Sequence, residues 1–303
     1  MNSTPSPSEL PAALAQKTSA LLDAIRGYGR CAIAYSGGVD SAVVAKAAVL
    51  ALNGDCVAIT GSSHSLAQGE LEQAAETAHL IGIPHEVIYT DEFANSNYVR
   101  NEPDRCFHCK TELYSQLDRI APSLNVSVIL NGANTDDLGD YRPGLQAAAD
   151  FKVRSPLADC GFDKADVRAL AEHWQLPVWD KPATPCLSSR VAYGQAVTPK
   201  RLRMIDNAER LLRSNGFPIC RVRYHEGDLA RIEVQTGDLP RLLGEPLNAT
   251  VRQALLEFGF RFVTVDLGGF RSGSLNAAIG QGEPKGQFVP VDSIGMPNHT
   301  ETE

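Results

Sequence analysis

Ser36-Gly37-Gly38-Val39-Asp40-Ser41 is the stretch that decides the fold. An apolar run at 31–35 leads into it, and a long apolar-periodic segment at 42–52 follows, so the order is strand, glycine-rich turn, helix. A turn of this kind presents backbone N–H groups and a helix N-terminus to an anion. The two glycines let the backbone approach that anion with no Cβ in the way. Ser36 and Ser41 add hydroxyl donors, and Asp40 is placed to hold Mg²⁺ beside bound phosphates. The string lacks the Gly-Lys-Ser/Thr ending of a Walker-type loop.

Outward from this turn, strands and helices alternate. An amphipathic helix at 11–27 precedes it. Strands at 56–60 and 85–89 flank a helix at 65–81, which has Ser65 as its N-cap and Gly82 as its stop. A helix at 105–120 leads to a strand at 126–130 that runs into Asn131-Gly132, and Asp163 caps a helix at 163–175. Alternation of this kind predicts an α/β fold with a parallel sheet covered on both faces. Ligands in such sheets sit at the carboxyl ends of the strands, where Ser36, Ser62, Ser63 and Asn131 fall. Residues 178–194 are proline-rich and irregular, which suits a linker or a loop crossing an active site. The pattern then changes to a helix at 198–215, strands at 220–224 and 230–236, a helix at 248–258 and a strand at 260–267. The expected division is a nucleotide domain at 11–190, a smaller α+β domain at 191–280, and a loose tail at 281–303.

The chain has 303 residues, enough for two cores, and its 43% hydrophobic and 21% charged content is that of an ordinary soluble protein. A formal net charge of −8 argues against a broad nucleic-acid footprint, while leaving room for a local basic pocket. No apolar run approaches the roughly 20 residues of a membrane span. The first ten residues are rich in Ser and Pro, with no basic region before an apolar stretch, so a secretory signal is not expected and a cytoplasmic protein is. Seven cysteines in that setting suggest metal binding or catalysis more than disulfides.

Asn131-Gly132-Ala133-Asn134-Thr135-Asp136-Asp137 places amide, hydroxyl and carboxylate groups at a strand's carboxyl end, so Asp137 is a candidate to join Asp40 on Mg²⁺. Arg142 is a candidate phosphate or substrate contact, or a solvated surface arginine. Cys106 and Cys109 form a C-x-x-C at a helix start, where the helix N-terminus, Arg105 and Lys110 would favour thiolates. Cys186 lies in a loop with Lys181 and Arg190 as nearby cations. Cys31 and Cys56 read as small core residues in buried strands, whereas Cys160 and Cys220 have no evident partner. Spacing alone leaves three readings open for Cys106, Cys109 and Cys186. They could hold an iron–sulfur cluster with one open iron. They could bind zinc with His108 or another fourth ligand. Or Cys186 could act as a nucleophile with the C-x-x-C as a redox pair. In the second half, Glu209 lies on a helix, and Arg221 and Arg223 point to one face of a strand. That pair suits a phosphate or carboxylate, or forms a solvated edge. Glu233 faces either the strand surface or a pocket, and Asp266 and Arg271 close the domain around a glycine-rich turn.

Together these motifs resemble the pyrophosphate-loop ATPase superfamily, which includes NAD synthetase, the GMP synthetase ATPase domain, asparagine synthetase and tRNA thiolases, and which cleaves ATP between its α and β phosphates. The segments at 105–110, 131–137, 185–190, 221–223 and 266–276 resemble the LarE family more narrowly, over about residues 14–279. Those proteins are ATP-dependent sulfur transferases that build the nickel-pincer nucleotide cofactor of lactate racemase. The resemblance implies a Rossmann-like sheet of the adenine nucleotide alpha hydrolase type, ATP and Mg²⁺ as cofactors, and a pyridinium-3,5-biscarboxylic acid mononucleotide as substrate. AMP transfer to a carboxylate creates a good leaving group, which sulfur then displaces. By the match, Ser36, Gly37, Gly38, Asp40 and Ser41 hold pyrophosphate and Mg²⁺, with Gly132 and Asp137 beside them. Residues 61–63, including Ser63, lie near adenosine, and Ser189 and Arg190 flank the sulfur site. Glu209, Arg221, Arg223 and Glu233 bind the substrate nucleotide, Glu209 through a cation. Single-cysteine members sacrifice the cysteine at the Cys186 position. Members with three cysteines use a [4Fe–4S] cluster, which is the reading that Cys106, Cys109 and Cys186 favour here. A homo-oligomer, a hexamer by resemblance, with no nucleic-acid or membrane partner is expected. A tRNA thiolase and a nucleotide-binding protein without turnover are the rivals.

Overall fold

A computed structural model describes residues 10–138 and 143–271. α1 (Ala12–Tyr28), β1 (Cys31–Ala34), α2 (Val39–Leu52), β2 (Cys56–Ser62), α3 (Glu70–Ile81) and β3 (His85–Tyr89) come first. α4 (Ser96–Arg100), α5 (Arg105–Ile120), β4 (Val128–Leu130), α6 (Pro143–Asp150), α7 (Pro156–Asp159) and α8 (Lys164–His173) follow. The strands pair in parallel in the order β3-β2-β1-β4. The chain steps outward from β1 to β2 and β3, then returns to the other side of β1 for β4. Strand order therefore reverses at β1, and a crevice opens beyond the carboxyl ends of β1 and β4. The 36–41 turn follows β1 and the 131–137 segment follows β4, so both line it.

Alternation along the strands supplies both covers of the sheet. Cys31, Ile33, Cys56 and Ala58 pack with α1, α2 and α8, while Ala32, Val57 and Ile59 pack with Tyr114 and Leu117 of α5 and Ala147 and Ala148 of α6. Cys31 and Cys56 are register partners on β1 and β2, and both are buried. Burial pushes their thiols up to about 12 and about 11, which suits the core role expected of them. Asp163 caps α8 through a reciprocal box with Asp166, and Gly82 ends α3 in the left-handed region.

A second unit follows, with α9 (Pro199–Ser214), β5 (Cys220–His225), β6 (Leu229–Val234), α10 (Leu239–Leu243), α11 (Leu247–Glu257) and β7 (Phe262–Val265). β5 and β6 are antiparallel, β6 and β7 parallel, and Leu202, Ile205, Phe217, Val222, Ile232 and Leu255 fill the space between sheet and helices. This is the smaller α+β domain expected from the change of pattern. Tyr98 of α4 and Leu187 of the crossing segment pack into the same cluster, so the two units share core.

Two features differ from expectation. α3 begins at Glu70, after Gly69 at φ 90°, and Ser65 is not its cap. Ser65 is instead buried, with its hydroxyl and its carbonyl committed to distant partners. α4, α6, α7 and α10 are helices of 5, 8, 4 and 5 residues, too short for a 3.6-residue period to repeat more than about twice, and they rest on neighbouring elements. Gly144 in the first turn of α6 illustrates this, because a Cβ there would lie 3.2 Å from Lys110 Cγ on α5. Arg142, the 272–276 part of the glycine-rich segment and the 281–303 tail lie outside the described residues. Among the described residues, no helix is long and apolar enough to cross a membrane.

Candidate active site

The pyrophosphate loop is held by its own hydroxyls. Ser41 Oγ donates to Gly38 O at 3.1 Å and accepts from Ser36 N at 3.2 Å, and Ser36 Oγ lies 3.2 Å from Ser41 Oγ. Gly37 sits at φ 70°, and a Cβ on it would meet Ala74 Cβ of α3 at 2.8 Å. Gly132 backs the loop from β4, where a Cβ would stand 2.7 Å from Ser41 N and 2.9 Å from Asp40 C. Neither neighbour can yield, because both are backbone. Gly132→Ala is therefore expected to cost about 1–3 kcal/mol of stability and to weaken ATP binding, read by urea unfolding and nucleotide titration. Unchanged ATP affinity would contradict it.

Asp40, in the first turn of α2, accepts from Asn134 Nδ2 at 2.9 Å and forms an ion pair with Lys164. Lys164 N also donates to Asp136 Oδ2 at 3.1 Å. Asp137 Oδ2 accepts from Asn134 N at 3.0 Å in a capping box, so Asn134 bridges the Asp40 and Asp137 carboxylates. The sequence reading missed Asn134 and Lys164. The Asp163–Asp166 box places Lys164 at a helix start, but nothing local names a partner 124 residues away.

The three cysteines come to one region. Cys106 and Cys109 stand one turn apart at the start of α5, and Cys186 precedes the 3₁₀ turn Leu187–Arg190. Cys106 and Cys186 are exposed and Cys109 is half-buried. Arg105 is buried, donates to Asn101 Oδ1 at 2.6 Å and Ser188 O at 2.7 Å, and lies 3.8 Å from Cys106 Sγ. Burial, and then the nearby charges of Cys186 and Glu92, push the Cys109 thiol up to about 12, so the expectation that its neighbours favour a thiolate does not hold for Cys109. Among the described residues, no three His, Cys, Asp or Glu side chains converge on a single-ion position. His108 is turned to Asp104, with Nε2 3.2 Å from Oδ2. Both observations speak against the zinc reading. Three thiols with no fourth protein ligand are the donor set of a [4Fe–4S] cluster with one open iron, but among the described residues their side chains do not converge on a metal site either.

Arg190 clamps the Cys186 turn from inside. Fully buried, it donates to the carbonyls of Pro185 and Cys186, the latter at 3.0 Å, and to Ser189 Oγ at 3.0 Å. Its Nε lies 3.0 Å from Glu209 Oε1. The Glu209 carboxylate also accepts from Arg213 Nη2 at 2.6 Å and Val222 N at 3.1 Å. With Arg190 Nη2 also 3.3 Å from Oε2, four donors fill the Glu209 carboxylate, and its surroundings do not fit an added cation. Glu233 is likewise buried, paired with Arg223 at 3.0 Å and Arg231 at 3.3 Å. It faces the charged interior of the sheet face rather than solvent. Asp266 pairs with Arg231 and lies 3.8 Å from Arg271 Nη2.

A cleft of about 1140 Å³ runs between α3, the crossing segment and the second unit. Its walls include Glu70, Gln73, Lys181, Ser189, Arg221 and Phe270. Lys181 pairs with Glu70 at 2.8 Å, and Arg213 and Arg223 have the partners above. Half-buried Arg221 has no carboxylate partner among the described residues. It donates to Cys220 O at 2.7 Å and Ala183 O at 3.1 Å, and stacks 5.3 Å from the Phe270 ring centre. Burial, and then Arg190 close by, bring its pKa down to about 10, so it stays charged at neutral pH. A desolvated guanidinium of this kind favours an anion.

No family model matches the chain. The pyridinium-3,5-bisthiocarboxylic acid mononucleotide synthase of Lactiplantibacillus plantarum is 38% identical over 269 residues, 88% of this chain and 96% of the relative. An uncharacterized protein of Synechocystis sp. is 45% identical over 250 residues, 82% of this chain and 93% of that one. The tRNA-specific 2-thiouridylase MnmA of Azorhizobium caulinodans is 33% identical over 196 residues, about half of each chain (50% and 49%). With identity of that extent to the synthase, on the parallel sheet and pyrophosphate loop described above, the chain belongs to the LarE family of pyridinium-3,5-bisthiocarboxylic acid mononucleotide synthases within the pyrophosphate-loop superfamily.

Proposed function

We propose that this chain uses ATP to convert a carboxylate of pyridinium-3,5-biscarboxylic acid mononucleotide to a thiocarboxylate, in biosynthesis of the nickel-pincer nucleotide cofactor. The observation that carries the reading is the position of the Cys186 turn. Pro185 and Ser189 border the Arg221 cleft, Leu187 is bonded to the segment after β2, and α3 touches both the cleft and Gly37 of the pyrophosphate loop. A substrate held in the cleft thus has an ATP site on one side and a sulfur site on the other.

The residues divide the work. Ser36, Gly37, Gly38 and Ser41 cradle the pyrophosphate of ATP through N–H and O–H donors, with Lys164 beside them. Asp40 would hold Mg²⁺, which offsets phosphate charge. A substrate carboxylate oxygen forms a bond to the α phosphorus and the bond to the β-phosphate oxygen breaks, releasing pyrophosphate. Sulfur then attacks the acyl carbon and the bond to AMP breaks. Arg221 and Arg223 orient the mononucleotide phosphate, and Ser189 and Arg190 fix the sulfur turn. A [4Fe–4S] cluster on Cys106, Cys109 and Cys186 would supply exchangeable sulfide. The chain is further proposed to act as a cytoplasmic homo-oligomer, without a nucleic-acid partner.

Pyrophosphate release that depends on the mononucleotide tests this directly. Arg221→Gln is expected to raise the KM for the mononucleotide roughly tenfold to a hundredfold, the loss of one charge-assisted contact of about 1.5–3 kcal/mol, with the KM for ATP unchanged. ATP binding without pyrophosphate release would sink the enzyme reading, and a change in tRNA thionucleosides on deletion would favour a tRNA thiolase.

A further inference from the structure

A chain of buried hydroxyls joins the end of β2 to the sulfur turn. Glu92 is 2% exposed and has no cationic partner among the described residues. Its Oε1 accepts from Ser63 Oγ at 2.5 Å and Ser65 Oγ at 2.7 Å, and its Oε2 accepts from Thr90 Oγ1 at 2.9 Å. Ser65 Oγ lies 2.6 Å from the Tyr98 hydroxyl, and that hydroxyl lies 2.7 Å from Ser188 Oγ. Ser65 also reaches the turn through its backbone, accepting from Leu187 N at 2.8 Å. Arg105 completes the anchorage at Ser188 O. Tyr98 is 1% exposed, and its ring is fixed edge-on to Phe93 with centroids 5.2 Å apart.

The hydroxyl contacts serve no catalytic step already described, and burying so many polar groups is costly unless each is satisfied. They link Ser63, at the carboxyl end of β2, with the two residues that follow Cys186. We propose that Tyr98 is a positioning residue: through Ser65 and Ser188 it couples nucleotide occupancy at the β2 end to the placement of Cys186. The inference rests on the proposed ATP site, extended to Ser63 because β2 is the strand paired with β1 and its loop, and deepens it. Ser63 Oγ serves Glu92 when it does not serve a nucleotide. A nucleotide that engages Ser63 removes one donor from Glu92 and re-sets Ser65, which holds Leu187 through its carbonyl and Ser188 by two routes, the short one through Tyr98 and a longer direct contact in which Ser188 Oγ donates to Ser65 Oγ at 3.3 Å. Coupling of this kind is reciprocal, so a correctly placed turn also favours the nucleotide.

Tyr98→Phe removes the bridging oxygen and keeps the ring. In this variant the pyrophosphate released per thiocarboxylate made is expected to rise about tenfold, within the usual range of site coupling, with the melting temperature close to wild type. A general structural defect would lower both products in step and leave their ratio unchanged. An unchanged ratio overturns the inference. Ser188→Ala approaches the same bond from the other end and decides the matter if Tyr98→Phe does not fold. A second readout needs no mononucleotide: ATP should change the iodoacetamide labelling rate of Cys186 about fivefold in wild type and less than about twofold in Tyr98→Phe, where only the direct Ser65 contacts remain. Equal ATP effects in both proteins overturn the coupling, even if wild type proves to act on another substrate. Failure of wild type to release pyrophosphate with the mononucleotide overturns the functional reading instead.

Discussion

Cys186→Ala is expected to abolish sulfur transfer, by at least about a thousandfold, while pyrophosphate release continues. Three features make the effect that large. Cys186 is exposed on a turn whose backbone is fixed on both sides, by Arg190 at Pro185 O and Cys186 O and by Ser65 O at Leu187 N. The proposed ATP loop, Ser36 to Ser41, makes its internal contacts without it. Cys186 is the one thiol on the crossing segment, and the other two sit on α5. The measurement is paired: pyrophosphate by enzymatic assay and thiocarboxylate by mass spectrometry. Sulfur transfer at wild-type rate would remove Cys186 from the mechanism. The same samples separate the two sulfur sources. Anaerobically purified protein that carries iron and sulfide, with Cys186 intact after turnover, supports the cluster. Colourless protein that loses about 34 Da in one turnover supports sacrifice of Cys186, since dehydroalanine forms by loss of H₂S.

Glu209→Ala is expected to destabilise the protein by about 3–5 kcal/mol, because it strands the buried Arg190 guanidinium without its anion. Arg190 and Glu209 are both buried, and their contact is two-pronged, 3.0 Å at Nε and 3.3 Å at Nη2. Val222 N loses its acceptor in the same change. The exposed portion of Arg213 softens only its own share of the loss. Urea unfolding reads the effect. The double variant Arg190→Met/Glu209→Leu removes both charges and should recover most of the stability, because apolar replacement of a buried pair is often close to neutral. It should not recover sulfur transfer, since Pro185 O and Cys186 O lose their donor. Recovery of both would mean that the clamp contributes stability alone. A loss below about 1 kcal/mol in Glu209→Ala would mean that Arg190 finds another partner.

Much of the fold was legible because its signals are local. Apolar runs of strand length, glycines at turn positions and the Asp163 cap each act within a few residues, and they place β1 to β4 and α8 close to expectation. The short helices were not legible, because α4 and α6 are held by what they pack against. The start of α3 was misread for a related reason. Ser65 has the side chain of a good N-cap, and Glu92, Tyr98 and Leu187 claim it instead.

The candidate site divides along the same line. The sequence by itself determined the glycine-rich loop after β1, the donor types that suit phosphate, the three grouped cysteines and the arginine pair on β5. All of these follow from residue type and short spacing. Only the tertiary structure decided who partners whom. Asp40 meets Lys164 across 124 positions, Tyr98 meets Ser188 across 90, and Arg190 meets Glu209 from a different element. It also decided that Glu209 and Glu233 are spent on arginines while Arg221 keeps its charge facing the cleft. The physical reason is burial: the energy of a charge or hydroxyl depends on which groups surround it once water is gone, and no local pattern encodes neighbours that distant.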